Sequence, residues 1–180
     1  HAPSIFDCGV DHDQVKSFAV EVFSMSKSYN MPGWRIAFMA GNARMIAALS
    51  HLKTYMDYGT FMPLQYAAAW ALDHGDGLVD EIRSLYQTRA TTLTRGLAAS
   101  GWGDVPEPSG SMFVWAKIPR KLAGKSSRDA ATWLIEEAHV ALSPGTGFGP
   151  GGEGFLRFAL IEDPPRVQEA CARIGKALAR

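Results

Sequence analysis

Disulfide cross-links are the first thing this chain does without. Its 180 residues hold two cysteines, Cys8 and Cys171, with no Cys-x-x-Cys pair. That excludes a cross-linked secreted scaffold and leaves reduced thiols in a reducing compartment as the expectation. Net charge is also lacking, with 18 Lys+Arg set against 18 Asp+Glu. A balanced surface exerts no long-range pull on phosphate backbones or anionic lipid, so no nucleic-acid partner is expected. No apolar run reaches the roughly 20 residues that a bilayer-spanning helix needs, and no export signal is visible. No membrane partner is therefore expected, and the predicted location is cytoplasmic. The five histidines, at 1, 12, 51, 74 and 139, show no metal-ligand spacing, so no metal site is predicted. In Gly145-Thr146-Gly147-Phe148-Gly149-Pro150 the third glycine of a dinucleotide fingerprint falls on Pro150, and Gly124-Lys125-Ser126 lacks the upstream glycine of a P-loop, which is Pro119. Both read as ordinary loops. Internal repeats and low-complexity tracts are missing too.

What is present is a globular composition, 47% hydrophobic and 20% charged. Apolar spacing predicts helices over Ala43–Tyr55 and Pro63–Leu72, and a long one from Gly77 to Ala99 that Gly101 ends. Arg128–Ala138 reads as an amphipathic helix, and Pro164-Pro165 opens a last helix running to Arg180. Alternation predicts strands at Ser17–Phe23, Trp34–Met39, Met112–Ile118 and Phe155–Ile161.

Chemistry concentrates where the first two strands meet. Ser24-Met25-Ser26-Lys27-Ser28-Tyr29-Asn30-Met31-Pro32-Gly33-Trp34-Arg35 places an amine, hydroxyls and a guanidinium around one turn. In an extended segment Ser24 and Ser26 present their hydroxyls to one face, and Pro32-Gly33 allows Arg35 to fold back toward Lys27. A phosphorylated aldehyde needs such a set: a nucleophilic amine for its carbonyl, and hydroxyls with a planar guanidinium fork for its phosphate. Taken singly, Lys27 reads as a solvated surface charge, but strand ends are where α/β proteins build sites. Arg157, within Phe155–Ile161, shares a face with Phe155, Ala159 and Ile161, where a charge needs a partner. A ligand carboxylate, Glu162, Asp163 or water at a sheet edge would each supply one.

The stretch from Ser24 to Arg35 resembles the lysine loop of class I/II aminotransferases, the fold-type I enzymes that use pyridoxal 5'-phosphate (PLP). Tyr58-Gly59-Thr60-Phe61, Ser111–Ala116, Ser143–Gly149 and Leu156–Leu160 resemble the same family in the same order, so the likeness covers essentially the whole chain. Within the family, the nearest likeness is to bacterial alanine transaminases, which pass an amino group between glutamate and pyruvate. The resemblance implies an α/β fold: a PLP-dependent transferase of fold type I, with a partial large-domain sheet and helices plus a small α+β C-terminal domain. It divides the chain into a remnant of the large domain (1–76), an interdomain helix (77–100) and the small domain (101–180). It implies PLP as cofactor and Lys27 as the catalytic residue, holding PLP through a Schiff base and shuttling the substrate α-proton. Ser24, Ser26 and Arg35 would hold the cofactor phosphate, and Arg157 the substrate α-carboxylate. Tyr58 and Thr60 fall where the family reaches across a dimer interface, although Asp57-Tyr58-Gly59-Thr60 also reads as a turn with Thr60 capping the next helix.

The implied partners are a small amino acid and a 2-oxo acid, in a homodimeric full-length protein. The chain reads as the C-terminal half of such an enzyme, without the aspartate that keeps the pyridine nitrogen protonated, and as an isolated piece it is expected to be inactive. Exposed apolar surface and aggregation are expected of the large-domain remnant, whose strands lack their usual cover. Other readings of the same residues are a PLP β-lyase or decarboxylating enzyme, a transcription regulator with a PLP-sensing aminotransferase-like module, and an inactive partial gene product.

Overall fold

Short polar caps decide where several helices of this chain begin. The computed structural model describes residues 3–180, so His1 of the histidine set lies outside the described residues. The chain divides into two units, His1–Ile82 and Arg83–Arg180.

In the first unit, Asp11 caps α1 (His12–Phe18) by accepting the Gln14 N–H. The expected strand from Ser17 therefore starts late, because Ser17 and Phe18 still belong to that capped helix. Strands β1 (Val20–Ser24) and β2 (Ala37–Gly41) pair antiparallel, with Val20 opposite Gly41 and Ser24 opposite Ala37. Between them lie the single turn α2 (Met25–Ser28) and a 3₁₀ turn at Pro32–Trp34. Trp34 and Arg35 thus sit in a turn and not in the predicted strand, which begins only at Ala37. Asn42 then starts α3 (Ala43–Met56), its side-chain oxygen accepting the N–H groups of Arg44 and Met45 at 3.0 and 3.0 Å. Its amide donates back to the carbonyls of Lys16 and Ser17 at 3.0 and 2.7 Å, tying the end of α1 to the start of α3. Gly41, at φ +130°, allows that closure, since a Cβ there would stand 2.4 Å from the Ala19 carbonyl oxygen. Next comes α4 (Met62–His74), opened by Pro63 near its N-terminus.

The helix α5 (Asp76–Ala99) runs through the boundary between the units and buries Ala90, Leu93, Thr94 and Leu97 in the second. It stops at Gly101 (φ +81°), where the Trp102 N–H reaches back to the Leu97 carbonyl at 3.2 Å. The second unit holds an antiparallel sheet in the spatial order β3 (Phe113–Lys117), β5 (Phe155–Ala159), β4 (Ser143–Pro144). Strand β4 (Ser143–Pro144) and strand β5 (Phe155–Ala159) follow α6 (Ser127–Ala138), and α7 (Pro164–Leu178) closes the chain. Alternation sends Val114, Ala116, Leu156 and Phe158 into one core with Leu97, Leu134 and Ile174. Helices α5 and α7 approach closely at Gly96, where a Cβ would meet Cys171 Sγ at 2.7 Å. Burial pushes the Cys171 thiol up to about 11, so this cysteine is an inert packing group. Among the described residues, no helix is long and apolar enough to cross a membrane.

Candidate active site

Ser24 closes β1 and caps α2, its Oγ accepting the Ser26 N–H at 3.2 Å. Because the chain turns helical at Met25, the two hydroxyls do not share one face of an extended strand as expected; one caps the turn and the other rides on it. Met25 anchors that turn at 1% exposure, packed with Ile36 and Ala68 against Tyr29, Met31, Leu64 and Ala71. Its N–H donates to the Ile36 carbonyl at 3.2 Å, extending the β1–β2 ladder by one rung, while the Met31 N–H donates to the Met25 carbonyl at 3.3 Å. The lysine turn is thus closed around one buried side chain. Lys27 sits on the outside, exposed: its carbonyl accepts the Asn30 N–H at 3.3 Å, while its side-chain amine has no hydrogen bond or ion pair to any described residue.

Arg35 follows the Pro32–Trp34 turn in the left-handed region, at φ 52° and ψ 45°. A non-glycine residue pays about 1 kcal/mol or more for that conformation. Its Nη1 donates to the Pro32 carbonyl at 2.8 Å, which holds the guanidinium beside its own turn. Arg35 precedes Ile36, whose carbonyl takes the Met25 N–H, so the hydrogen-bonded closure brings Arg35 next to the start of α2. Ser24, Ser26 and Lys27 therefore lie on one turn with Arg35 next to its start in the chain's course, and none of the four is bonded to a carboxylate among the described residues. Such a donor set fits a phosphate-bearing carbonyl compound.

Arg157 belongs to the second unit. On β5 it lies opposite Trp115 of β3 and Ser143 of β4. Its guanidinium carbon stands 4.0 Å from the Phe113 ring centre and 4.1 Å from that of Phe148. One Nη reaches Ser143 Oγ at 3.4 Å, and Nε is buried with no partner. The carboxylates weighed against a ligand are engaged elsewhere: Asp163 with Arg89 at 2.8 Å and Glu162 with Arg166 at 3.4 Å. Among the described residues no carboxylate pairs with Arg157. A half-buried cation with an unsatisfied donor is costly unless something anionic completes it.

Sequence reasoning gave no role to Phe113, Phe148 or Ser143. The period-2 pattern of β3 placed Phe113 on the face away from the core, which was the available signal for that ring. Phe148 had none, since it comes from a glycine-rich turn. Tyr58 is 94% exposed at φ 56°. Thr60 does not cap α4: the cap position is Phe61, without a side-chain bond, and the Thr60 carbonyl instead accepts from Gln65 Nε2 at 2.6 Å.

Residues 8–174 match the family model described as aminotransferase class I and II. The glutamate-pyruvate aminotransferase AlaC of Escherichia coli is 47% identical over 179 residues, covering 99% of this chain and 42% of its own length. An LL-diaminopimelate aminotransferase of Nitratidesulfovibrio vulgaris is 39% identical over 161 residues, or 89% of this chain and 40% of its own. The solved structure of an aminotransferase from Staphylococcus aureus superposes with a TM-score of 0.80 at 33% identity, across 91% of this chain and 43% of that one. The chain spans about two fifths of the length of the curated relatives it matches.

Proposed function

Because the chain belongs to the class I and II aminotransferases, we propose that the full-length protein transfers an amino group between a small amino acid and a 2-oxo acid. Alanine with pyruvate and glutamate with 2-oxoglutarate are the favoured pairs. Members of the family are PLP-dependent. When bound, PLP supplies an aldehyde that captures amines and a conjugated ring that accepts the electrons left by proton removal.

The chain's own residues do the rest. Lys27 would hold the cofactor through Nζ and, released, take and return the proton at the substrate α-carbon. The hydroxyls of Ser24 and Ser26 and the Arg35 fork would bind its phosphate. Arg157 would fix the substrate α-carboxylate. The observation that carries this reading is the unpaired Lys27 amine, held on a turn that the Ser24 cap and the Met25–Ile36 bond fix in place. Exposed apolar side chains such as Leu52, Tyr55, Tyr66 and Trp70 in the first unit support a homodimeric assembly. The relative named for LL-diaminopimelate favours, as a second reading, an α-amino donor of that larger type.

The test is made on the full-length protein. Lys27→Ala is expected to abolish the borohydride-reducible cofactor adduct. Arg157→Ala is expected to raise KM for both substrates while the adduct persists. An adduct retained without Lys27 would move the nucleophile elsewhere, and unchanged KM values would leave Arg157 a structural residue. Parallel rates with alanine and LL-diaminopimelate separate the two substrate readings.

A further inference from the structure

A guanidinium packed against two aromatic rings is approached most readily along its edge. The Arg157 guanidinium carbon lies over the rings of both Phe113 and Phe148, 4.0 and 4.1 Å from their centres. Each ring attracts the cation through its quadrupole. Along the edge, one Nη has a long 3.4 Å contact to Ser143 and Nε is already buried with no partner. Part of the desolvation that a bound anion would impose is thus met before it arrives, which is pre-organisation.

We propose that Phe113 and Phe148 are positioning residues that clamp Arg157 and make its edge selective for a planar carboxylate over a tetrahedral oxyanion. The proposal rests on the reading of Arg157 as the substrate's carboxylate ligand. A carboxylate lies in the guanidinium plane and makes two parallel bonds there. A sulfonate or phosphonate carries an oxygen out of that plane, toward one ring or the other.

The two rings are held differently. Phe113 starts β3, paired with Ala159. Phe148 ends the 3₁₀ turn Gly145–Phe148 and is 51% exposed, its position set by an edge contact to Trp115 with centroids 5.7 Å apart. The base of the turn is pinned where Gly145 and Gly152 touch, since a Cβ on either would lie 2.0 Å from the other's carbonyl oxygen. The buried Ser127 hydroxyl lies 3.3 Å from the Gly152 carbonyl oxygen and accepts the Gly154 N–H at 2.9 Å. The exposed ring thus stands on a fixed stem, and its chemistry can be changed with little risk to the core.

The experiment uses the full-length holoenzyme with Phe148→Leu, which keeps bulk and removes the π face, and Phe148→Tyr, which restores it. Phe148→Leu is expected to raise KM for amino acid and 2-oxo acid together by roughly five- to twentyfold, with kcat moving less. It is also expected to narrow the preference for propionate over ethanesulfonate as inhibitors, while Phe148→Tyr retains the parent values. If Phe148→Leu leaves the KM values and the inhibitor ratio unchanged while Arg157→Ala raises KM, the clamp is refuted and the carboxylate reading stands. If Arg157→Ala also changes nothing, that reading falls and the clamp with it. Should Phe148→Leu not fold, the same inhibitor ratio in Phe113→Leu decides.

Discussion

The two units of this chain place their apolar side chains in opposite ways. Residues 83–180 wrap three helices and a sheet around a continuous core, with Leu97, Val114, Leu134, Leu156 and Ile174 all at 0% exposure. Residues 1–82 gather their smaller buried cluster around Met25, Ile36 and Ala68, and leave Phe18, Val22, Tyr55, Met56, Phe61, Tyr66 and Trp70 each at least 60% exposed. The same chain thus contains one unit that satisfies itself and another whose helices carry surface suited to further protein. The lysine turn belongs to the second kind, so the proposed chemistry sits on the part that is less complete alone. Arg157 sits on the complete one.

The sharpest way to break this contrast is to separate the halves. A segment of residues 76–180, which keeps α5 whole, is expected to unfold cooperatively and stay monomeric, whereas residues 1–75 are expected to aggregate and bind a hydrophobic dye. Light scattering and denaturant titration read both, and monodisperse, cooperative material from residues 1–75 would overturn the contrast. Next in size is a matched pair of truncations. Leu134→Ala, at a fully buried site, should cost about 2–5 kcal/mol by denaturant unfolding. Leu52→Ala, at a site 52% exposed, should stay within about 0.5 kcal/mol. Equal effects would erase the distinction.

The smallest effect is a pH dependence confined to the second unit. The Glu153 carboxylate accepts the N–H groups of Ser127 and Gly154 at 2.6 and 2.9 Å, and the Ser127 hydroxyl at 2.9 Å. These bonds, the Ser127 N–H first, hold its carboxyl below the ordinary value of 4.5. A carboxyl lowered on folding contributes stability above its unfolded value, and that contribution fades as pH falls from about 4.5 through the lower folded value. Thermal melts of residues 76–180 should therefore lose part of their acid sensitivity in that window when Glu153 is replaced by Gln, and an unchanged slope would contradict this.

The long elements were legible because periodicity needs length: α3, α5, α6 and α7 begin and end within one or two residues of where apolar spacing and the Pro and Gly signals put them. Strands β3 and β5 were legible from alternation. What failed was short. A helix such as α1, with Val15 its only buried residue, offers no period, and its own last residues Ser17 and Phe18 read as the start of a strand. The single turn α2 interrupts the extended geometry assumed for Ser24 and Ser26, and Arg35 adopts a left-handed conformation that composition favours only for Gly, Asn or Asp. At the candidate site the charged residues could be nominated from chemistry. The aromatic rings around Arg157 could not, because their role comes from strand register and from a turn whose course depends on contacts distant in sequence.

The meeting of Gly145 and Gly152 has an evolutionary consequence. Where two backbones cross with no room for a side chain, the residues between them form a cassette tied at its neck, and β4 and β5 enter and leave at fixed points. Thr146, Gly147 and Phe148 lie between those points, so a change among them is expected to leave the register of Arg157 in place. A lineage with this neck could retune which anion its arginine accepts by exchanging one loop, leaving the sheet that holds the arginine as it was.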